Sequence, residues 1–164
     1  DGGAQHGVDR GAGRRVLGVV DDGYWLDLGT PLAFVQGSAD LVRGIAPSPA
    51  LPGVPGEALH LPGSVVSASA EVTGGTVVGA GAVVQDGATV DASVILDGAM
   101  IGPRARVRRS VVGADAWIGA DAVLDGVVVG DRASIGASNE LREGARVWPD
   151  AELADGVLRF SSDR

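Results

Sequence analysis

The stretch VVGAGAVVQDGATV, residues 77–90, decides the fold, because its aliphatic residues Val78, Val84 and Val90 stand six positions apart. An α-helix would place apolar residues at a period of about 3.6, and the intervening glycines and β-branched residues oppose a helix. A period of six instead suits one short strand and one corner per hexad. Three hexads close one triangular coil with the aliphatic side chain inside. The stretch therefore predicts a parallel β-helix.

The same pattern continues from Val66 almost to the end of the chain, at steps of six or five residues. Steps of five at 96–101, 107–112 and 124–129 shorten three coils to 17 residues each. Successive coils stack at about 4.8 Å, so that each coil completes the hydrogen-bond ladder of its neighbour. We expect about five triangular coils. The residues expected in the interior are Val66, Val72, Val78, Val84, Val90, Leu96, Ile101, Val107, Val112, Ile118, Leu124, Val129, Ile135, Leu141, Val147 and Leu153.

Residues 30–44 carry the signals of a helix. Thr30 is a good N-cap, Pro31 suits the first helical position, and Gly44 suits the helix end. An apolar stripe at spacings of three and four consists of Leu32, Val35, Ala39 and Val42. Upstream, VLGVV at 16–20 predicts a short buried strand. The Gly-rich residues 1–15 show no periodicity and are expected to be disordered.

These signals divide the chain into four stretches. Residues 1–44 form a short α/β segment, 45–63 a Pro-rich linker, 64–157 the β-helix and 158–164 a C-terminal tail. The linker holds five of the eight prolines. Proline lacks an amide donor and fixes its own φ, so this stretch is predicted to form neither a helix nor a central strand.

The composition excludes several classes of function. A net charge of −8 argues against a nucleic-acid-binding surface. The chain has no cysteine, which removes disulfides, thiolate zinc sites and cysteine nucleophiles. No apolar run approaches the roughly 20 residues of a membrane span. We expect a soluble cytoplasmic protein that binds no nucleic acid and no membrane.

A β-helix of this type resembles the hexapeptide-repeat acyltransferases, which implies left-handed winding and raises an enzymatic alternative. Those enzymes use a histidine as general base, and the γ-class carbonic anhydrases of similar architecture need three histidines for zinc. The histidines here are His6 and His60, and both precede the repeats. The acyltransferase therefore stays a minor alternative, testable by calorimetry with acetyl-coenzyme A.

Two groups of residues on the repeats have a functional and a structural interpretation. An arginine cluster could bind phosphate or a partner, or could form a solvated face with loose ion pairs to Asp115 and Asp121. The cluster consists of Arg104, Arg106, Arg108 and Arg109. The tryptophans interrupt a nearly aromatic-free helix. We expect Trp148 to cap the last coil and Trp117 to face a partner chain.

The segment YWLDLGTP, residues 24–31, places the carboxylate of Asp27 between two leucines, just before a glycine and a helix start. A carboxylate at a strand end suits metal binding. An ordinary turn aspartate is the alternative interpretation, because short motifs have a high false-positive rate.

Five stretches together resemble the C-terminal portion of sugar-1-phosphate nucleotidyltransferases. They are YWLDLGTP, the helix FVQGSADLVRG at 34–44, the Pro-rich stretch, the hexads and the ending VWPDAELADGVLRFSSD at 147–163. Bacterial mannose-1-phosphate guanylyltransferases (GDP-mannose pyrophosphorylases) are the nearest family we can name. The resemblance covers residues 16–164. It implies that residues 1–44 end with the trailing piece of a catalytic domain.

The resemblance also implies a reaction and two site residues. A hexose-1-phosphate oxygen attacks the α-phosphorus of a nucleoside triphosphate, which releases pyrophosphate and forms a nucleotide sugar. Asp27 would hold the catalytic Mg²⁺, and Trp25 would form a wall of the sugar pocket. Magnesium neutralises charge on the phosphates and aligns the groups.

One departure from the family pattern limits the expected activity. The Gly-x-Gly-Thr-Arg loop, the lysine-bearing motif and the second metal-binding aspartate of that family are missing, and the chain contains no lysine. We therefore predict that this chain alone does not make a nucleotide sugar. The β-helix is expected to orient the enzyme or to form a homo-oligomer. A free-standing β-helix interaction module remains the non-enzymatic alternative.

Overall fold

The computed structural model describes residues 18–51 and 54–158. The elements in this part of the chain are one helix, α1 (Pro31–Val42), and a series of short strands. The strands are β1 (Ala58–His60), β2 (Val65–Val66), β3 (Glu71–Thr73), β4 (Thr76–Val78), β5 (Val83–Val84), β6 (Thr89–Asp91), β7 (Val94–Ile95), β8 (Met100–Ile101), β9 (Arg106–Arg108), β10 (Val111–Val112), β11 (Trp117–Ile118), β12 (Val123–Asp125), β13 (Val128–Val129), β14 (Ser134–Ile135), β15 (Glu140–Arg142), β16 (Arg146–Val147) and β17 (Glu152–Leu153).

The strands form three parallel sheets, and the chain visits the sheets in turn, so the whole is a β-solenoid with three faces. The first face has the order β1-β4-β7-β10-β13-β16, the second β2-β5-β8-β11-β14-β17 in space, and the third β3-β6-β9-β12-β15. Each strand pairs in parallel with the strand three places along the chain, as Val66 does with Val84. The predicted parallel β-helix is confirmed.

The solenoid has about six turns where about five were expected, because the described residues form one strand more than the sixteen predicted hexads. The additional strand is β1, which lies inside the stretch expected to be a linker. Its residues pair with β4, Ala58 opposite Thr76. Residues 56–61 contain no proline, so their backbone amides can donate hydrogen bonds to a neighbouring strand. As an edge strand, β1 needs such a neighbour on one side only.

The interior column follows the prediction with one correction. Val84, Val90, Ile101 and most other predicted residues are buried. Leu96 is the exception: it is only half-buried, and its neighbour Ile95 is completely buried instead. Neighbouring residues of a strand point to opposite sides, so the expectation for Leu96 was wrong by one residue. The five-residue step therefore lies between residues 90 and 95 rather than between 96 and 101.

All three short steps consequently fall at the corner between the third and first faces, where buried hydroxyl groups form a ladder. Thr76 Oγ1 accepts a hydrogen bond from the amide of Ser93 at 3.2 Å, and Ser93 Oγ accepts one from the amide of Ser110 at 3.1 Å. Ser110 Oγ accepts in turn from the amide of Val127 at 3.0 Å. These hydroxyls satisfy buried backbone donors that the tight corner leaves without a carbonyl.

Helix α1 is confirmed together with its predicted ends. Thr30 Oγ1 accepts from the amide of Ala33 at 3.1 Å, Pro31 is the first helical residue, and Gly44 has a φ of +74°. The helix packs against β4 of the first face. Its buried apolar residues are Val35, Ala39 and Val42, whereas Leu32 of the predicted stripe is exposed.

The strand expected at 16–20 is not found where the structure describes it. Residues 18–20 are irregular, and Val19 and Val20 are exposed. A buried strand needs neighbours that pair its backbone and cover its side chains, and the described residues supply none here. Residues 16 and 17, the expected disordered segment 1–15 and most of the tail lie outside the described residues.

Candidate functional site

The residues before helix α1 form an extended strap, residues 21–30, that lies along the helix. Leu26 and Leu28 approach Gly37, where a Cβ atom would lie 2.8 Å from Leu28 Cδ2 and 3.3 Å from Leu26 Cδ2. The missing side chain at Gly37 therefore lets the strap lie close to the helix. Since alternate residues of an extended chain point to opposite sides, Trp25 and Asp27 are directed away from the helix.

A buried carboxylate fastens the strap to the helix. The Tyr24 hydroxyl donates to Asp40 Oδ2 at 2.7 Å, and Gln36 Nε2 donates to Asp40 Oδ1 at 2.8 Å. Both carboxylate oxygens of Asp40 are thus satisfied, which a buried charged group requires. The hydrogen bond to this carboxylate raises the pKa of the Tyr24 phenol.

Asp27 is held in a local turn on the exposed side of the strap. Its Oδ1 accepts a hydrogen bond from the amide of Gly29 at 3.0 Å, which is the turn geometry that short acidic side chains favour. Within residues 18–51 and 54–158 no group of three or more histidine, cysteine or acidic residues could hold a metal ion. Asp27 is therefore not part of a group of three or more possible metal ligands in the described residues.

Trp25 is the most exposed aromatic side chain of the strap, with 82% of its surface accessible. Single exposed apolar side chains are common on protein surfaces, so the exposure of Trp25 does not by itself assign it a function. It lies on the same strap as Asp27, two residues away. The structure therefore places both predicted site residues on one exposed segment beside the helix.

A cleft of about 390 Å³ lies between the start of helix α1 and the solenoid, and no motif in the sequence had indicated it. Pro31, Leu32 and Val35 form the helix side. The solenoid side includes Arg109 and Asp125, whose side chains form an ion pair at 2.7 Å. Neither Trp25 nor Asp27 lines the cleft, so it is separate from the predicted site.

The arginine cluster forms ion pairs rather than a convergent site. Arg104 binds both oxygens of Asp121, at 2.8 Å and 2.6 Å, and these bonds lower the pKa of Asp121. Arg109 binds Asp125, and Arg108 lies 3.6 Å from Asp91. These arginine side chains are exposed, and such pairs contribute little stability. The structure favours the interpretation as a solvated face.

Of the two expectations for the tryptophans of the repeats, the one for Trp148 was wrong and the one for Trp117 stays a prediction. Trp148 is 77% exposed and does not cap the last coil. It follows the interior residue Val147 directly, so the alternation along the strand directs it outward. Trp117 is 43% exposed on the second face, and its contact with a partner stays a prediction. His60 lies exposed at the end of the edge strand β1.

The fold and this strap define a class: a β-solenoid of hexapeptide repeats with a helix packed on one face. A family model described as the GMPPB C-terminal domain matches residues 54–159. The chain belongs to this family. Among residues 18–51 and 54–158, no helix combines the length and apolar character that crossing a membrane requires.

The chain is also similar to a curated protein. It is 52% identical over 149 residues to the mannose-1-phosphate guanylyltransferase of Mycobacterium tuberculosis. The match covers 91% of this chain but only 42% of that protein. The chain thus spans less than half the length of this relative. The match is longer than the family region, so it also includes residues outside 54–159.

Two solved acetyltransferase structures show weaker similarity. A mutant of perosamine N-acetyltransferase from Caulobacter crescentus, in complex with CoA and GDP-perosamine, has a TM-score of 0.48 at 19% identity, covering 66% of this chain and 59% of that one. The acetyltransferase domain of PglB from Neisseria gonorrhoeae, in complex with acetyl coenzyme A, has a TM-score of 0.32 at 27% identity, covering 58% and 56%.

Proposed function

We propose that this chain is the C-terminal part of a sugar-1-phosphate nucleotidyltransferase that makes GDP-mannose. The reaction joins GTP and mannose-1-phosphate and releases pyrophosphate. The observation that carries the proposal is the 52% identity over 149 residues to a mannose-1-phosphate guanylyltransferase. The matching region is the C-terminal piece that the family description names.

The chain by itself is inactive in this proposal. Phosphoryl transfer needs groups that position the nucleotide phosphates and neutralise their charge. The sequence contains no lysine, and the described residues hold no cluster of metal ligands. The nucleotide-binding loop and its second aspartate belong to a segment that lies outside this sequence.

Asp27 and Trp25 are the residues of this chain that we assign to the active site. Magnesium commonly takes one or two protein carboxylates, with substrate phosphates completing its coordination. Asp27 supplies one such ligand, and its turn with Gly29 keeps the carboxylate directed outward. Bound magnesium would neutralise phosphate charge at this place. The exposed Trp25 ring forms a wall of the sugar pocket, where an apolar ring face can pack on a hexose.

The strap and helix hold these two side chains at a fixed place relative to the solenoid. Asp40 ties the strap to the helix through Tyr24. Arg43 at the end of the helix pairs with Glu57 at 2.7 Å, and Glu57 Oε2 also accepts from the amide of Gly74. The solenoid in this proposal orients the catalytic part and provides a face for self-association.

A chimera tests the proposal. The part of the M. tuberculosis enzyme that this chain does not cover is joined in front of residue 16, and pyrophosphate release is measured with GTP, mannose-1-phosphate and Mg²⁺. We expect turnover from the chimera and none from the chain alone. Turnover by the chain alone, or an inactive chimera that folds, would contradict the proposal.

Two substitutions in the chimera then test the assigned residues. Asp27→Asn should raise the magnesium concentration for half-maximal rate by at least about tenfold. Asp22→Asn is the matched control, since Asp22 is an exposed carboxylate of the same strap, and it should change nothing. Trp25→Ala should raise KM for mannose-1-phosphate and leave KM for GTP unchanged, with Trp148→Ala as its control. Equal effects of Asp27→Asn and Asp22→Asn would remove Asp27 from the site.

A further inference from the structure

The exposed side chains of the strap are not held by tertiary contacts of their own. The Trp25 ring is 82% exposed, and the Asp27 carboxylate accepts its hydrogen bond from Gly29 of the same strap. The place of both side chains relative to helix α1 therefore depends on how the neighbouring strap residues are fastened. Those neighbours make two contacts with the helix, and the two contacts differ in chemistry.

The first contact is apolar and holds the part of the strap around Asp27. Leu26 and Leu28, the residues on either side of Asp27, both lie against Gly37 of the helix. A Cβ atom at Gly37 would meet their Cδ2 atoms at 3.3 Å and 2.8 Å. The turn between Asp27 and Gly29 adds a local hydrogen bond. Asp27 is thus held in place by contacts that do not involve Asp40.

The second contact is polar and holds the part of the strap beside Trp25. The Tyr24 hydroxyl donates to Asp40 Oδ2 at 2.7 Å, and Gln36 Nε2 occupies the other carboxylate oxygen at 2.8 Å. Asp40 is only 8% exposed, and hydrogen bonds to an ionised group are stronger than those between neutral groups. Trp25 lies between this hydrogen bond and Leu26, so loss of the bond would free the strap as far as Leu26.

Asp40 is a fixed point because the backbone around it is held on two sides. Its carbonyl oxygen accepts hydrogen bonds from the amides of Ile45 at 2.8 Å and Ala46 at 3.1 Å, which closes the C-terminal end of the helix. The preceding residue, Ala39, lies against the solenoid, since a Cβ atom at Gly75 would be 2.7 Å from Ala39 Cα. The carboxylate of Asp40 therefore keeps its place relative to the solenoid.

We propose that Asp40 is a positioning residue for the sugar-phosphate side of the active site, because it sets the place of the Trp25 ring through the Tyr24 hydroxyl. This role rests on the proposed function, since it needs Trp25 as a wall of the sugar pocket. The polar contact then governs the affinity for mannose-1-phosphate, whereas the apolar contact at Gly37 governs the place of Asp27. A group misplaced by about 1 Å can cost about a hundredfold in rate.

Steady-state kinetics of the chimera test the positioning role. Tyr24→Phe removes the hydroxyl and Asp40→Ala removes the carboxylate. Each variant should raise KM for mannose-1-phosphate by about tenfold, while KM for GTP and the magnesium concentration for half-maximal rate stay unchanged. The double variant should be no worse than the more affected single variant, because both changes break the same hydrogen bond.

A conservative variant and a matched control separate positioning from general stability. Asp40→Asn should keep KM close to the wild-type value. The asparagine oxygen still accepts from Tyr24, and its amide can donate to the Gln36 oxygen once the Gln36 amide turns over. Ser38→Ala is the control, since Ser38 Oγ donates within the same helix to the Phe34 carbonyl at 2.8 Å. It should leave both KM values unchanged.

The 164-residue chain allows a test that needs no activity, because Tyr24 is its one tyrosine. The hydrogen bond to the Asp40 carboxylate raises the pKa of the Tyr24 phenol above its ordinary value of 10.0. Titration of tyrosinate absorbance therefore reports this contact directly. We expect the raised pKa in the wild-type chain and in Ser38→Ala, and a pKa close to the ordinary value in Asp40→Ala. An equal pKa in all three chains would overturn the contact.

The order of the Trp25 ring is measured in a chain with Trp117→Phe and Trp148→Phe, which leaves one of the three tryptophans. Its fluorescence anisotropy should fall when Tyr24→Phe is added, and an unchanged anisotropy overturns the positioning role. Circular dichroism checks the fold, and Tyr24→Phe carries the test if Asp40→Ala does not fold.

The kinetic outcomes separate this positioning role from the proposed function. An active chimera whose KM for mannose-1-phosphate is unchanged by Tyr24→Phe overturns the role of Asp40 and leaves the proposed function standing. A Tyr24→Phe chimera that needs more magnesium in the same proportion overturns the division between the two contacts. A wild-type chimera that folds and is inactive contradicts the proposed function instead.

Discussion

Replacing Gly75 by alanine should loosen the attachment of helix α1 to the solenoid. Gly75 has a φ of +77°, and a Cβ atom there would lie 2.7 Å from Ala39 Cα and 2.8 Å from Ala39 O. These are backbone neighbours in the middle of the helix, so they cannot move aside without moving the helix. Gly81→Ala is the matched control, because its φ is +65° and a Cβ atom would meet nothing within 4 Å.

The difference between the two variants isolates the clash. Each variant bears the backbone cost of a left-handed alanine, about 1–2 kcal/mol. Gly75→Ala adds the cost of overpacking, about 1–3 kcal/mol. Burial of the two valines Val35 and Val42 under the helix contributes about 3–6 kcal/mol, most of which offsets the entropy of ordering the helix and strap. The clash is therefore comparable to the net free energy that holds the helix in place.

Limited trypsin digestion and thermal melting measure the effect. Arg43 follows the helix directly, and cleavage after Arg43 should become several-fold faster in Gly75→Ala while the solenoid stays resistant. Gly81→Ala should lower the melting temperature without faster cleavage there. Equal cleavage rates in the two variants would show that the helix does not rest on Gly75.

Two further predictions concern the scaffold and its attachment. Ser110→Ala removes the acceptor of the buried Val127 amide and should lower the free energy of unfolding by about 1–3 kcal/mol, with faster amide exchange at Val127. Ser110→Thr should restore both the stability and the slow exchange. If Ser110→Ala lost no more stability than the outward-facing Ser134→Ala, the hydroxyl ladder would be contradicted. The Arg43 guanidinium and the Gly74 amide lower the pKa of Glu57. The stability that these two contacts give the folded chain is therefore complete above pH 4.5, the ordinary pKa of glutamate, and is lost as the pH falls through the lowered pKa of Glu57. Thermal melts between neutral and acidic pH should show a larger loss of stability in the wild-type chain and in Glu152→Gln than in Glu57→Gln, which keeps only the losses from other carboxylates such as Asp121. An equal loss in all three chains would exclude the pair.

Much of the fold could be predicted because its signals are local. The hexads repeat a strand and a corner within a few residues, so the parallel solenoid and almost all of its interior follow from spacing. Helix α1 begins at Pro31 after the N-cap Thr30 and ends before Gly44 as expected, since capping depends on the few residues at each end. The side to which Asp27 and Trp25 point was not predictable, because it depends on how closely the strap approaches Gly37.

The remaining differences between the predicted and the observed fold depend on contacts between residues that are far apart in the sequence. Spacing alone allowed Leu96 in the interior, and the position of the tight corner selects Ile95 instead. The prolines disfavoured only a central strand in residues 45–63, and β4 supplies the one partner that makes β1 an edge strand within the expected linker.

The amino-acid sequence by itself determined the repeat, the three-sided coil and the helix with its caps, since each depends on residues close together along the chain. Only the tertiary structure decided which face carries helix α1 and where Trp117 and Trp148 emerge. Those features depend on contacts between segments far apart in sequence, such as Gly75 with Ala39. Such contacts become visible only when the coils are stacked and the helix is packed against them.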